Sequence, residues 1–190
     1  MASRIAIANL ALTGLGADRI VSLDEDTENA RRINAIFELC LEDVLRSHPW
    51  NFAIQRQQLA KLSTTPAFGY ELEYLLPGDC LRVLEVSDGT TIRTDFKIEN
   101  RKLLTDYDGV FIKFIGNVTD PTQYTSQFVY VLASRLAAEL AYAITNNKTT
   151  AEMAYKIYEQ RLQIAKQADA QESDSTYVID QDLWTIDQRS

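Results

Sequence analysis

The sequence predicts an α+β fold: an antiparallel four-helix bundle, a β-rich antiparallel insertion between helices 2 and 3, and an extended C-terminal tail. Three observations predict it. Apolar residues recur at helical spacing at Ile33, Phe37, Cys40, Leu41, Val44 and Leu45, and again at Phe128, Leu132, Leu136, Leu140 and Ile144. From Trp50 to Val118 the period changes to two, and turn pairs punctuate the runs. Proline marks both transitions, at His48-Pro49 and at Asp120-Pro121. The expected divisions are residues 1–48 with 120–170 for the bundle, 49–119 for the β-rich insertion, and 171–190 for a C-terminal arm.

The first helix carries Ile5, Ile7, Ala8, Leu10, Ala11 and Leu12 and ends at Gly14 or Gly16, either of which can take the left-handed conformation of a C-cap. Asp24, Asp26 and Thr27 offer N-cap oxygens to the second helix. That helix stops at Pro49, which lacks an N–H and biases His48 away from the α region. Trp50 and Phe52 then alternate with Asn51 and Ala53, so an emerging strand would put two aromatic anchors on its core face. Ordinary core packing is the plainer reading of Trp50 taken singly.

Further along, Tyr70, Leu72 and Tyr74 alternate with Glu71 and Glu73, and Phe96 and Ile98 with Lys97 and Glu99. Asp88-Gly89 and Asp108-Gly109 read as hairpin turns, since Gly tolerates positive φ. Val110, Ile112 and Phe114 would close a sheet of about four to six strands. Pro121 opens the third helix, in which Ala133, Ala137, Ala138, Ala141 and Ala143 allow a neighbour to approach closely. Asn146-Asn147 breaks it, and a fourth helix starts near Thr150 with Ala154, Ile157, Tyr158, Ile164 and Ala165 on one side. In the tail, Tyr177, Val178, Ile179, Leu183, Trp184 and Ile186 are interleaved with Asp180, Asp182 and Asp187, a pattern suited to packing on its own domain or on a neighbour.

At 190 residues, 46% hydrophobic and 24% charged, the chain is long and apolar enough for a self-sufficient core. It has no run of about 18 uninterrupted apolar residues and no signal-peptide order, so a soluble intracellular product is expected. Cys40, on a helix stripe, and Cys80, opening a strand, are expected to be buried thiols. A net charge of -8 with no basic stripe argues against a nucleic-acid reader.

Motifs for chemistry are sparse. His48 is the only histidine and stands one residue before a proline, where a capping or surface role is usual, so it is a weak base for a triad. No Cys and His spacing matches zinc. Gly14-Leu15-Gly16 has Arg19 where a dinucleotide fingerprint needs its third Gly, and there is no Walker A string. Asp24, Glu25 and Asp26 resemble the start of a calcium loop, but Asn29 and Ala35 occupy the positions of its Gly and terminal Glu. Glu71 with Glu73, or Asp106 with Asp108, could pair as a glycosidase acid and base, although solvated strand edges and turns are the better reading. No catalytic residue, cofactor or metal is expected.

One combination of segments does carry a functional signal. His48-Pro49-Trp50-Asn51-Phe52-Ala53 and Leu75-Leu76-Pro77-Gly78-Asp79-Cys80-Leu81-Arg82-Val83 join an opening with Ala11, Leu12, Leu15 and Gly16 and the string Ser22-Leu23-Asp24-Glu25-Asp26-Thr27. Together they closely resemble the tail tubular protein A family, the head-to-tail adaptors of short-tailed bacteriophages. The resemblance covers most of the chain, from the first helix through Leu136 to Ala141.

It implies a structural virion protein without an active site, located in the tail and assembled in the host cytoplasm. Subunits would form a ring, dodecameric by the resemblance, under the portal protein. The ring would link the portal to a tail nozzle of the tail tubular protein B kind, contact a tail fibre, and continue the channel through which DNA passes without sequence-specific binding. An acidic wall suits such passage, because it repels the polymer. In this picture Pro49, Trp50, Phe52, Pro77 and Asp79 form the junction between helices and sheet. Tyr177, Val178, Ile179, Leu183, Trp184 and Ile186 contact the portal or a neighbour, and the hairpin tips Asp88, Gly89, Asp108 and Gly109 face the nozzle. A head-completion or tail-terminator protein, and a tail-associated glycan hydrolase, are the alternatives.

Overall fold

A computed structural model describes residues 2–173 of the chain. Among them are four α-helices: α1 (Arg4–Gly14), α2 (Glu28–Arg46), α3 (Ser126–Thr145) and α4 (Lys148–Ser173). Seven strands lie between α2 and α3: β1 (Ile54–Gln58), β2 (Leu72–Leu75), β3 (Cys80–Ser87), β4 (Ile92–Arg93), β5 (Lys97–Glu99), β6 (Lys102–Thr105) and β7 (Phe111–Gly116). The described chain divides into two compact units, residues 2–40 with 124–173 and residues 41–123.

In the helical unit, local capping explains most helix ends. The Ser3 hydroxyl accepts from the Ala6 N–H at the start of α1. At its end Gly16 takes φ +69°, which lets the N–H groups of Gly16 and Ala17 return to the carbonyls of Thr13 and Leu12. The cap of α2 is Thr27, whose hydroxyl accepts from the Ala30 N–H; Asp26 instead pairs with Arg31. Glu25 organises the approach, accepting from the N–H groups of Val21 and Ser22 and from the Thr27 hydroxyl.

The stripe Ile33, Phe37 and Cys40 is buried, and it continues as buried Leu41, Val44 and Leu45. Pro121 opens a 3-10 turn, Pro121–Gln123, rather than the third helix; α3 starts at Ser126 under the Thr125 cap, whose hydroxyl accepts from the Phe128 N–H. Asn146, at φ +50°, ends α3, and the Asn147 carboxamide oxygen accepts from the N–H groups of Thr149 and Thr150 to start α4. By length and composition α3 could cross a membrane, yet Phe128, Val131, Leu132, Leu136 and Leu140 are buried in the fold.

The class is α+β, but the four-helix bundle is not formed. Close helix pairing links α3 with α4 and α3 with α1; α2 makes no helix pairing of that extent, and residues 41–46 of it belong to the other unit. Two helices precede the strands and two follow them, with α3 and α4 as a hairpin at the end. The physical reason is that an apolar stripe specifies a buried face without specifying what covers it.

The second unit holds two antiparallel sheets where one was expected. Their orders are β1-β7-β3-β4 and β2-β6-β5. β7 is therefore an interior strand, paired with β1 from Ile54↔Ile115 to Gln58↔Phe111 and with β3 on its other side. Register shifts in β3 between Cys80 and Arg82 and between Val83 and Glu85 allow that strand to bend. Leu59, Tyr74, Leu76, Cys80, Val86, Leu103, Val110, Ile112 and Phe114 form one apolar core.

Candidate functional site

The helix-sheet junction differs from the expected strand. Asn51–Ala53 is one 3-10 turn, and β1 begins only at Ile54. Trp50 is fully buried, and its indole N–H donates to the Val44 carbonyl at 2.9 Å. That carbonyl also accepts from the Ser47 N–H and hydroxyl, so one of the orphan acceptors at the end of α2 is satisfied. The Trp50 ring meets His48 edge-on at 5.0 Å and stacks on Phe52 at 6.5 Å. Trp50 thus anchors the turn through its polar edge as well as its area. Pro49 follows α2 at a distance, since the helix already ends at Arg46.

Pro77 and Asp79 form the turn that carries the chain from β2 in one sheet to β3 in the other, closed by the Cys80 N–H donating to the Pro77 carbonyl. Arg101 braces that turn: its guanidinium donates to the carbonyls of Pro77 (2.7 Å) and Gly78 (3.0 Å), and its own carbonyl accepts from the Leu76 N–H. The Asp79 carbonyl accepts from the Asn117 N–H.

Of the two expected hairpin tips, only Asp88-Gly89 joins paired strands, β3 and β4. Asp88 accepts from the N–H groups of Thr90 and Thr91, the Thr90 hydroxyl and the Arg93 guanidinium, and these donors hold its carboxyl well below the usual aspartate range. Asp108-Gly109 links β6 to β7, which lie in different sheets, so it is a crossover and not a hairpin tip. There the Tyr74 hydroxyl donates to the Tyr107 carbonyl and to Asp108, with Lys61 3.7 Å from the same carboxylate. The turn missed in the sequence is Asn100-Arg101, between β5 and β6, where both residues have positive φ without a glycine. Asn at its first position was the available signal.

Of the paired carboxylates, Glu73, Asp106 and Asp108 make structural contacts. Glu73 bonds to Lys102 at 2.7 Å and accepts from the Thr64 hydroxyl at 2.9 Å; these partners hold its carboxyl below the ordinary value, the wrong direction for a general acid. Asp106 accepts from the Glu71 N–H. Among the described residues no group of three His, Cys, Asp or Glu side chains is placed to hold a metal. Cys40 and Cys80 are both buried and in no disulfide, and burial pushes the Cys80 thiol up.

Among the described residues, three surfaces offer chemistry to a partner. On α4, Ala154, Tyr158 and Ala165 are buried, but Ile157 and Ile164, expected on the same side, are 40% and 62% exposed. With Met153 they form a second apolar stripe at i, i+4 and i+11, which an α-helix places on one face. Tyr130 and Tyr142 of α3 are also half exposed, and Arg161 of α4 lies over the Tyr130 ring at 5.6 Å.

The second surface is an open groove of about 310 Å³ in the β-rich unit, lined by Arg46, Arg82 and Arg101 with Leu76, Val83 and Ile98 among its apolar residues. A larger groove of about 530 Å³ lies over β1, β3 and β7, with Arg56, Glu85, Phe111 and Lys113 in its wall. The tail residues Tyr177, Val178, Ile179, Leu183, Trp184 and Ile186 lie outside the described residues. No protein-family model matches the chain, and no curated protein matches it at a significant level.

Proposed function

We propose that the chain is a structural head-to-tail adaptor of a short-tailed bacteriophage: a subunit of a ring that docks under the portal, presents a platform to the tail nozzle and continues the channel for DNA. The observation that carries the reading is the exposed apolar stripe Met153, Ile157 and Ile164 on α4, beside a helix face already satisfied by the protein's own core. A side-by-side ring uses such a face, because each helix then has one covered flank inside its subunit and one against the neighbour. The resemblance of the segments around Pro49-Trp50 and Pro77-Gly78-Asp79 to the tail tubular protein A family supports the same reading. A net charge of -8 suits a wall along which DNA slides without being held.

The test is the mass, by light scattering, of the purified chain alone and after mixing with the portal ring encoded by the same genome. A monomer that joins the portal in a fixed multiple, and an Ile157→Glu, Ile164→Glu variant that stays folded but does not join, are the expected results. A wild-type chain that ignores the portal would overturn the reading and favour another tail layer, such as a terminator, or an enzyme assayed on glycans.

A further inference from the structure

We infer that the arginine-lined groove of the β-rich unit is the docking site for the acidic and apolar C-terminal segment, residues 174–190, of a neighbouring copy. This deepens the adaptor reading and rests on it, since it names a second contact between adjacent subunits, beside that of the α4 stripe. Arg46, Arg82 and Arg101 gather at one groove in a chain whose formal net charge is -8. Among the described residues none of the three is in an ion pair; Arg101 spends part of its donor set on the carbonyls of Pro77 and Gly78. No carboxylate is among the described residues that line the groove. Exposed Ile98, with Leu76 and Val83, adds apolar surface between the charges.

The segment has the complementary composition. Asp174, Asp180, Asp182 and Asp187 outnumber its single cation, Arg189, and they alternate with the apolar residues from Tyr177 to Ile186. Guanidinium groups bind carboxylates in bidentate geometry, and the apolar side chains between them supply the area that exposed ion pairs alone do not. A groove on one face and a peptide at another end of the same chain make a heterologous contact, the kind that closes into a ring when its rotation permits.

The experiment uses a fluorescently labelled synthetic peptide of residues 174–190 titrated into the full-length chain, read by anisotropy. Saturable binding that weakens as salt is raised is expected, as is at least a tenfold loss in an Arg46→Glu, Arg82→Glu variant. A peptide carrying Asp180→Lys and Asp182→Lys should recover binding to that variant. Both arginines are exposed, and the single Arg82→Ala variant provides a milder change with the same expected direction. No binding to the wild-type chain, or equal binding to the variant, would overturn the inference. Failure of the adaptor reading is separable, because it appears as a wild-type chain that does not join the portal while the peptide still binds. A portal-bound ring formed unchanged by the double variant would remove the docking contact and leave the adaptor reading in place.

Discussion

At the scale of single residues, the two Asp-Gly pairs differ although their sequences match. Gly89 has φ +95°, and a Cβ added there would lie 3.1 Å from the Phe111 ring; Gly109 has φ +77° with nothing within 4 Å. Gly109→Ala should therefore cost only the backbone penalty of about 1–2 kcal/mol, and Gly89→Ala more, as read from urea denaturation midpoints. Equal costs would mean that the Phe111 ring yields freely. Asp88 gives a pH prediction. Its folded carboxyl titrates below the unfolded value, so its contribution to stability is present above the ordinary aspartate value of about 3.9 and is lost as pH falls below it. Asp88→Asn should be less stable than the wild type at neutral pH, and the gap should narrow toward about pH 2. A gap of constant size would assign the effect to geometry rather than charge.

At the scale of elements, the connection between β5 and β6 shows how a turn can be specified without glycine. Asn100 and Arg101 sit at φ +47° and +59°, the conformation required by a two-residue primed turn. Asn tolerates that region through its short polar side chain, and Arg101 is held there by the bonds its guanidinium makes to the Pro77-Gly78 turn. Asn100→Val should destabilise by about 1–2 kcal/mol, whereas Asn100→Gly should be near neutral, both measured by thermal or chemical unfolding. The buried stripes of α2 and α3 were legible at this scale because 3.6-residue spacing survives in any context, whereas on α4 Ile157 and Ile164 fall outside the buried side. The strand alternation was not legible. Glu73 and Tyr74 are adjacent and both buried, because one pairs with Lys102 and the other packs in the core, while Ile98 on the short edge strand β5 is left exposed.

At the scale of the whole molecule, the adaptor reading predicts that the tail is dispensable for folding and required for assembly. Deleting residues 177–190 should leave α1 to α4 and both sheets intact by circular dichroism, since every described element ends by Ser173. The shortened chain should no longer join the portal in a light-scattering experiment; docking that survives the deletion would detach the tail from assembly. The candidate contacts were partly legible before the structure. The acidic and apolar tail is visible as composition, but its proposed receptor is not, since Arg46, Arg82 and Arg101 come from a helix end, a strand and a turn.

By itself the sequence determined the α+β class, the order of helices and strands, the buried stripe of α2, and the break at Asn146-Asn147, because these depend on local periodicity and capping. Only the tertiary structure decided that the helices do not close into a four-helix bundle, that the strands divide into two sheets, and that Asp108-Gly109 and Pro77-Gly78-Asp79 are crossings between them. The reason is that residue spacing records which side of an element avoids water, while partner choice is set by contacts between residues far apart in the chain.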